Sequence, residues 1–162
     1  MKTVENIKIE GAKIVFRNFG GKPDKYNRNG GVRKFAVVLG DASIVKNLLD
    51  EGWNVKQFKP KEGEEDKEPE YYLPVKVSYA VKPPHIYICT SKGKTVLTED
   101  TVETLDYADI SNVDIVISPY AYSVDGSEGI AAYVKTMYVT IEEDEFAYKY
   151  CEDEEDFEIP FN

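Results

Sequence analysis

The sequence predicts an all-β protein with minor helices, built as a small antiparallel β-barrel or sandwich. Short segments of alternating polar and apolar residues recur along the chain, and turn-forming Gly, Pro, Asn and Asp residues separate them. Only a few short stretches have helical spacing. Many short strands with few amphipathic helices are typical of these two architectures. The length of 162 residues fits one domain with appendages and suffices for a hydrophobic core.

The strands are predicted from alternation with a period of two residues. A bend is expected in the first of them at Gly11, and the Gly-containing segment 125–129 is expected to join the last two as a hairpin. The predicted strands cover residues 6–18, 34–39, 53–59, 71–79, 86–89, 113–124 and 130–141.

The predicted helices are short. Asp41 or Ser43 can cap a helix that ends at Gly52, because an acidic or hydroxyl side chain suits the first position and glycine the last. Thr98 can cap a single helical turn, and residues 142–150 are expected to form a terminal helix.

The charges are segregated along the chain. The formal net charge is -10, yet residues 1–61 contain 13 Lys and Arg against 6 Asp and Glu. Residues 152–162 contain 6 acids and no base. A polyanion responds to the local field, so a negative total charge does not exclude a nucleic-acid partner.

Several classes of protein are disfavoured by the sequence. No apolar run reaches the ~18–20 residues that span a bilayer, and the N-terminus lacks the apolar stretch of a signal peptide, so we expect neither membrane insertion nor export. Cys89 and Cys151 form no CxxC pair, which argues against a zinc ribbon and a disulfide framework. The string SKGKT lacks the earlier glycine of a phosphate-binding loop, since Ile88 occupies that position.

Catalytic patterns are scarce. His85 is the only histidine, and the sequence suggests no nucleophile beside it. The carboxylates of Asp106, Asp109 and Asp114 could hold magnesium, but such groups are more often solvated. We therefore predict no enzymatic activity, no metal and no cofactor, with a magnesium-dependent nuclease as the enzymatic alternative.

Residues 13–35 combine positive charge with aromatic rings. A single nucleic-acid strand is bound by cations along its phosphates and by flat side chains on which its bases stack. Phe19 and Tyr26 lie in a Gly-rich loop and are stacking candidates, whereas Phe16 and Phe35 are expected in the core. The cationic candidates for the phosphate path are Arg17, Lys22, Lys25, Arg28, Arg33 and Lys34.

The remaining contact candidates are spread over later segments. Alternate residues of a strand share a face, so Tyr120 and Tyr122 point the same way, as do Tyr133 and Lys135. Each of these residues also has an alternative position that involves no DNA contact. The aromatic residues could be buried, because strands favour aromatic residues for packing and a lone Trp is usually buried, and the lysines could simply be solvated. These candidates are Trp53, Lys56, Lys92, Lys94, Tyr120, Tyr122, Tyr133 and Lys135.

The C-terminal segment 151–162 is predicted to be a flexible acidic tail. Its carboxylates can imitate a phosphate chain and occupy the protein's own basic groove. Its apolar tip can bind a pocket on another protein, whereas solubility alone would explain the acids but not the tip. The residues proposed for partner binding are Asp153, Glu154, Glu155, Asp156, Phe157, Ile159, Pro160 and Phe161.

Two resemblances agree with these patterns. The tail EDEEDFEIPFN resembles the acidic tip of bacterial single-stranded DNA-binding proteins, which ends in Ile-Pro-Phe; here Asn162 follows Phe161. The body resembles the phage single-stranded DNA-binding family. The segments that carry this likeness are IEGAKIVFRNFGGK (9–22), EGWNVKQFKP (51–60), TSKGKTVL (90–97) and AAYVKTMYVTIEEDEFAYKY (131–150).

The resemblance implies an OB-fold-like antiparallel β-barrel in residues 1–150. It also implies protection of exposed single-stranded DNA during phage replication, recombination and repair, in the cytoplasm of an infected bacterial host. The tail would recruit replication or recombination proteins and compete with DNA. Whether the chain forms a homodimer is left open.

The alternative function is that of an acidic DNA mimic or adaptor, which would use its carboxylates against a host protein and ignore DNA. The excess of cations in residues 1–61 argues against it.

Overall fold

The computed structural model describes residues 4–25, 28–63, 66–80 and 82–143. Within these ranges the chain is mostly β, which confirms the predicted class of an all-β protein with minor helices. The helices are α1 (Ala42–Glu51) and a 3-10 helix (Val102–Asp106). The strands are β1 (Ile7–Ile9), β2 (Ile14–Asn18), β3 (Arg33–Leu39), β4 (Lys56–Gln57), β5 (Tyr71–Val77), β6 (His85–Thr90), β7 (Gly93–Leu97), β8 (Ile110–Val124) and β9 (Ser127–Ile141).

These strands form one mixed sheet. Its main path runs β1-β8-β9-β5-β3-β2, while β4 pairs with β5, and β6 pairs with both β9 and β7. The pairs β5–β9 and β6–β9 are parallel, so the sheet is mixed and departs from the predicted antiparallel pairing at these two places. Parallel neighbours need long crossover connections, which strand patterns in the sequence do not reveal.

The predicted first strand is broken at Gly11, where φ is 65°. The half before the break, β1, pairs with β8, and the half after it, β2, pairs with β3. Between the two halves, the Ala12 backbone nitrogen donates to the carbonyl of Val113 on β8 at 2.7 Å. Strands β1 and β2 nevertheless lie at opposite ends of the sheet, which does not close into a continuous barrel. The architecture is therefore OB-fold-like with an open sheet.

Helix α1 begins and ends as the sequence predicts. The Asp41 side chain accepts hydrogen bonds from the backbone nitrogen and hydroxyl of Ser43, at 2.9 and 2.7 Å. These hydrogen bonds hold the pKa of Asp41 below its ordinary value. At the other end Gly52 has φ of 100° and donates to the Leu48 carbonyl, which glycine does without steric cost. Val45 and Leu48 bury the inner side of the helix.

Two segments differ from the sequence prediction, and a third lies outside the residues that the structure describes. The strand predicted over 53–59 is reduced to β4, and Trp53 forms only an isolated parallel bridge with Ile130. Strand β7 is not among the predicted strands; it pairs with β6 in an antiparallel hairpin. Most of the predicted terminal helix, and the whole predicted tail, fall in residues 144–162, outside the described residues.

One hydrophobic core occupies the inner face of the sheet. On β3 the side chains of Phe35, Val37 and Leu39 are buried, and on β5 those of Leu73 and Val75 lie opposite them. Among the described residues no polar or charged residue is buried. Because the inner face is filled, it offers no surface on which a ligand can lie, whereas the outer face is accessible. In the part of the chain that the structure describes, neither helix has the length and hydrophobicity of a membrane-spanning helix.

Candidate nucleic-acid interface

A row of side chains crosses the outer face of the sheet. Cross-strand partners share a face, and the register aligns Ser118, Tyr133, Lys76, Lys34 and Asn18 on five consecutive strands. Lys76 is exposed, and it was not among the residues predicted from the sequence. Two lysines thus lie side by side at the middle of this face, between strand β9 on one side and strand β2 on the other.

Tyrosines of the β8–β9 hairpin lie at one end of this row. The rings of Tyr120 and Tyr133, here called the Tyr133 cluster, are 5.9 Å apart between centroids at an interplanar angle of 70°. Tyr120 is 60% exposed. Tyr122 lies on the same face, but its hydroxyl donates to Asn54 Oδ1 at 2.9 Å. The Tyr133 cluster therefore offers ring surface to a ligand, while Tyr122 ties the hairpin to the segment that follows α1.

A second set of rings comes from β2, from the residue after β4 and from β5. Phe16, Phe58 and Tyr72, here called the Phe16 cluster, have centroid distances of 5.8 Å for Phe16–Phe58, 5.4 Å for Phe16–Tyr72 and 4.6 Å for Phe58–Tyr72. Phe16 is 61% exposed, so its predicted position in the core is wrong. An irregularity in the β2–β3 register between Val15 and Asn18 turns its side chain outward.

The backbone of Phe16 is strained. Its φ is 53°, in the left-handed region that costs a residue other than glycine roughly 1–2 kcal/mol. Burial of the ring does not offset this cost, because most of the ring is exposed. Strained residues concentrate at functional sites, so an exposed ring on a strained backbone makes Phe16 a candidate for ligand contact. Lys56 is the cross-strand partner of Tyr72 and supplies a cation beside the cluster.

Two predicted phosphate-binding arginines are engaged by the fold. Arg17 Nη1 donates to two backbone carbonyls in the segment 105–108, at 2.9 and 2.8 Å. Arg33 Nη1 donates to the Phe19 carbonyl at 2.6 Å, and its guanidinium lies 5.8 Å from the Tyr79 ring centroid. Burial raises the pKa of the Tyr79 hydroxyl, and the charge of Arg33 partly opposes this. Both arginines thus hold loops in place through one guanidinium nitrogen, and their predicted phosphate contacts stay predictions.

Two predicted lysines form ion pairs. Lys22 Nζ lies 3.4 Å from a Glu103 carboxylate oxygen and 4.5 Å from the Tyr107 ring centroid. Lys34 Nζ lies 3.2 Å from an Asp24 carboxylate oxygen. Partly exposed pairs of this kind contribute only about 0–1 kcal/mol. A phosphate can therefore compete with Asp24 for Lys34 without a large cost to the fold.

The other predicted cations are exposed. Lys56 and Lys135 belong to the strands that carry the two ring clusters, and the remainder lie in the loop before β3 and at the β6–β7 turn. These residues are Lys25, Arg28, Lys56, Lys92, Lys94 and Lys135.

Comparison with known proteins gives the family. The sequence model described as "Putative phage ssDNA-binding domain" matches residues 1–159. The chain belongs to this family. No curated protein sequence matches the chain.

The fold is similar to solved phage single-stranded DNA-binding proteins. A C-terminally truncated single-stranded DNA-binding protein from bacteriophage Enc34 superposes with a TM-score of 0.54 at 11% identity, covering 86% of this chain and 87% of that chain. The bacteriophage Enc34 protein in complex with ssDNA gives a TM-score of 0.51 at 15% identity, covering 86% of this chain and 88% of that chain. At these identities the likeness concerns the fold.

In this member of the phage family, two predicted DNA contacts lie in the core. Phe19 is 0% exposed and stacks on Phe35, with centroids 4.9 Å apart and an interplanar angle of 21°. Trp53 is 3% exposed, and its indole nitrogen donates to Glu51 at 2.9 Å. Neither ring presents a face to a base, so both assignments are corrected. The Asp106 carboxylate anchors the start of the loop by accepting from the Phe19 backbone nitrogen at 2.7 Å.

Sequence reasoning missed Phe58, Tyr72 and Lys76. Tyr72 and Lys76 are separated by an even number of residues on one strand, which places them on one face, but the pattern does not reveal that this face is the outer one. Tyr26 and the tail residues 153–161 lie outside the described residues, so their predicted roles stay predictions.

Proposed function

We propose that this protein binds single-stranded DNA with little sequence preference and acts in phage DNA replication, recombination and repair. The observation that carries the proposal is the outer face itself, where the Phe16 cluster and the Tyr133 cluster flank adjacent lysines on β3 and β5. Rings accept any base by stacking, and lysines meet the phosphates. Membership of the phage family supports the same function.

The strand is proposed to cross the sheet from the Phe16 cluster to the Tyr133 cluster. Lys56 lies beside the first cluster, and Lys34 and Lys76 lie between the two. The loop that carries Lys25 and Arg28 is linked to this path by the ion pair between Asp24 and Lys34.

A direct test compares fluorescence anisotropy of labelled poly-dT with that of labelled duplex DNA. We expect tight binding of poly-dT and weak binding of the duplex, because stacking needs bases that are not already stacked in a helix. Equal affinity for both would contradict the proposed mode. No binding of either would favour the acidic mimic or adaptor.

We also propose a role for the acidic tail and a lack of enzymatic activity. We propose that residues 152–162 recruit replication or recombination proteins, compete with DNA for the cationic face, and act in the cytoplasm of the infected host. The segregation of six acids with an apolar tip supports this. A cleavage assay with and without chelator tests the proposed lack of nuclease activity.

Binding is expected to weaken steeply as salt rises. Each phosphate neutralised on a single strand contributes about 0.7 to the slope of log affinity against log salt. Lys76→Gln should therefore lower the slope by about 0.7, measured by anisotropy titrations at several salt concentrations. The matched control is Lys46→Gln, an exposed lysine on α1. Equal slopes for the two variants would remove Lys76 from the phosphate path.

Deletion of residues 152–162 is expected to tighten poly-dT binding, most clearly at low salt. A tethered competitor has a high effective concentration, and its carboxylates lose influence when salt screens them. The measurement is anisotropy with full-length and shortened protein. A second variant keeps the length of the tail but replaces its six acids by their amides, and it should bind more tightly as well. Unchanged or weaker binding after either change would contradict competition by the tail.

A further inference from the structure

A third group of rings lies on the outer face, toward the end of β9. Tyr87 of β6 and Tyr138 of β9 are cross-strand partners, and their rings stack with centroids 5.0 Å apart at an angle of 15°. Lys94 Nζ lies 4.9 Å from the Tyr87 centroid and 5.4 Å from the Tyr138 centroid. We call these three residues the Tyr138 cluster. Attraction between the ammonium and the rings holds this cation beside an aromatic surface.

A β-bulge places this cluster on the same face as Tyr133. The register between β8 and β9 skips Lys135, so β9 has one extra residue there. In a regular strand Tyr133 and Tyr138 would lie on opposite faces, because side chains alternate. The extra residue brings both to the outer face. On the inner face Val134 and Met137 are both buried, as this shift requires.

The bulge also completes an alternation of rings and cations along β9. Lys135 is exposed and lies between the Tyr133 cluster and the Tyr138 cluster. The β8 partners of these two tyrosines, Ser118 and Asp114, are four residues apart, so the tyrosines are about 13 Å apart along the strand, at about 3.3 Å per residue. A few nucleotides of an extended strand bridge this distance.

Two carboxylates on segments next to the Tyr138 cluster are hydrogen-bonded to the fold. Asp114 is the β8 partner of Tyr138, and its carboxylate accepts from the Gly11 backbone nitrogen at 3.0 Å. Glu143 accepts from the backbone nitrogen and hydroxyl of Ser91, at 3.1 and 3.2 Å. Both carboxylates have donors of their own, so Lys94 keeps its position against the rings.

We propose that the Tyr138 cluster is a further contact surface for the same DNA strand, which follows β9 from the Tyr133 cluster over the bulge. The inference rests on the proposed function and lengthens the proposed path. Bases stack on the tyrosine rings, and Lys94 meets a phosphate next to them. The bulge residue Lys135 meets the phosphates between the two clusters.

The test uses full-length protein and two lengths of labelled dT oligomer, about 4 and about 16 nucleotides, which bracket the usual sites of this fold. Tyr138→Leu is expected to weaken binding of the long oligomer about tenfold and to leave the short one unchanged. Tyr138→Phe keeps the ring and should bind like the unmodified protein. Lys94→Gln should lower the salt slope for the long oligomer only, by about 0.7.

Two further variants separate this inference from the proposed function. Lys46→Gln is the control for Lys94→Gln, and Phe16→Gly should weaken binding of both oligomers. If Tyr138→Leu and Lys94→Gln bind both lengths normally while Phe16→Gly does not, the inference fails and the proposed function stands. If Phe16→Gly binds normally as well, the proposed path also fails. Altered self-association of Tyr138→Leu with normal DNA binding would assign the cluster to a protein interface and overturn the inference.

Discussion

Phe16→Gly is expected to weaken poly-dT binding about 5- to 150-fold, the range for loss of one stacked base at about 1–3 kcal/mol. The same change should leave the free energy of unfolding within about 1 kcal/mol of its original value, because relief of the strained backbone offsets the lost ring contacts. Phe16 has φ of 53° and is 61% exposed, which is the basis for both expectations. Anisotropy measures the first quantity and denaturant unfolding the second.

Asp125 supplies the matched control for this prediction. It is the other described non-glycine residue with positive φ, at 50°, and it lies in the β8–β9 turn away from the ring clusters. Asp125→Gly should also relieve strain but leave DNA affinity unchanged. A Phe16→Gly protein that loses several kcal/mol of stability and keeps its affinity would show that Phe16 serves the fold.

Phe19→Ala is expected to lower the free energy of unfolding by about 3–5 kcal/mol, the usual cost of removing a buried Phe ring. Phe19 is fully buried and stacked on Phe35, so its loss leaves a cavity beside the inner face of β3. The affinity of the remaining folded protein for poly-dT should not change. Denaturant unfolding and anisotropy at low denaturant measure the two effects.

Tyr120→Ala is the comparison for Phe19→Ala. Tyr120 is 60% exposed, so its loss should change stability by only about 0.5 kcal/mol while weakening DNA binding. The two variants thus have opposite expected profiles. If Phe19→Ala were neutral for stability but weakened binding, the ring would leave the core to contact DNA, as the sequence pattern suggested.

Local sequence was sufficient to predict most elements of the fold. The alternation in residues 113–124 and 130–141 predicted β8 and β9, and the caps at Asp41 and Gly52 predicted α1. The alternation and the capping residues are patterns among residues close together in the sequence, so they can be recognised without knowledge of tertiary contacts. The segregation of charge is likewise a property of the sequence alone.

The choice of exposed rings depended on tertiary structure. Phe16 and Phe19 are neighbours in similar surroundings, yet one is exposed and the other fully buried. The irregular register at β2 decides between them, as the bulge at Lys135 decides for Tyr138.

The sequence by itself determined the strands, the helix and its caps, and the separation of charges. Tertiary structure decided the parallel pairs to β9, the open sheet, and which rings and lysines share the outer face. The physical reason is that strands favour aromatic residues whether they are packed or exposed. Only long-range pairing sets the register, and a shift of one residue moves a side chain to the opposite face.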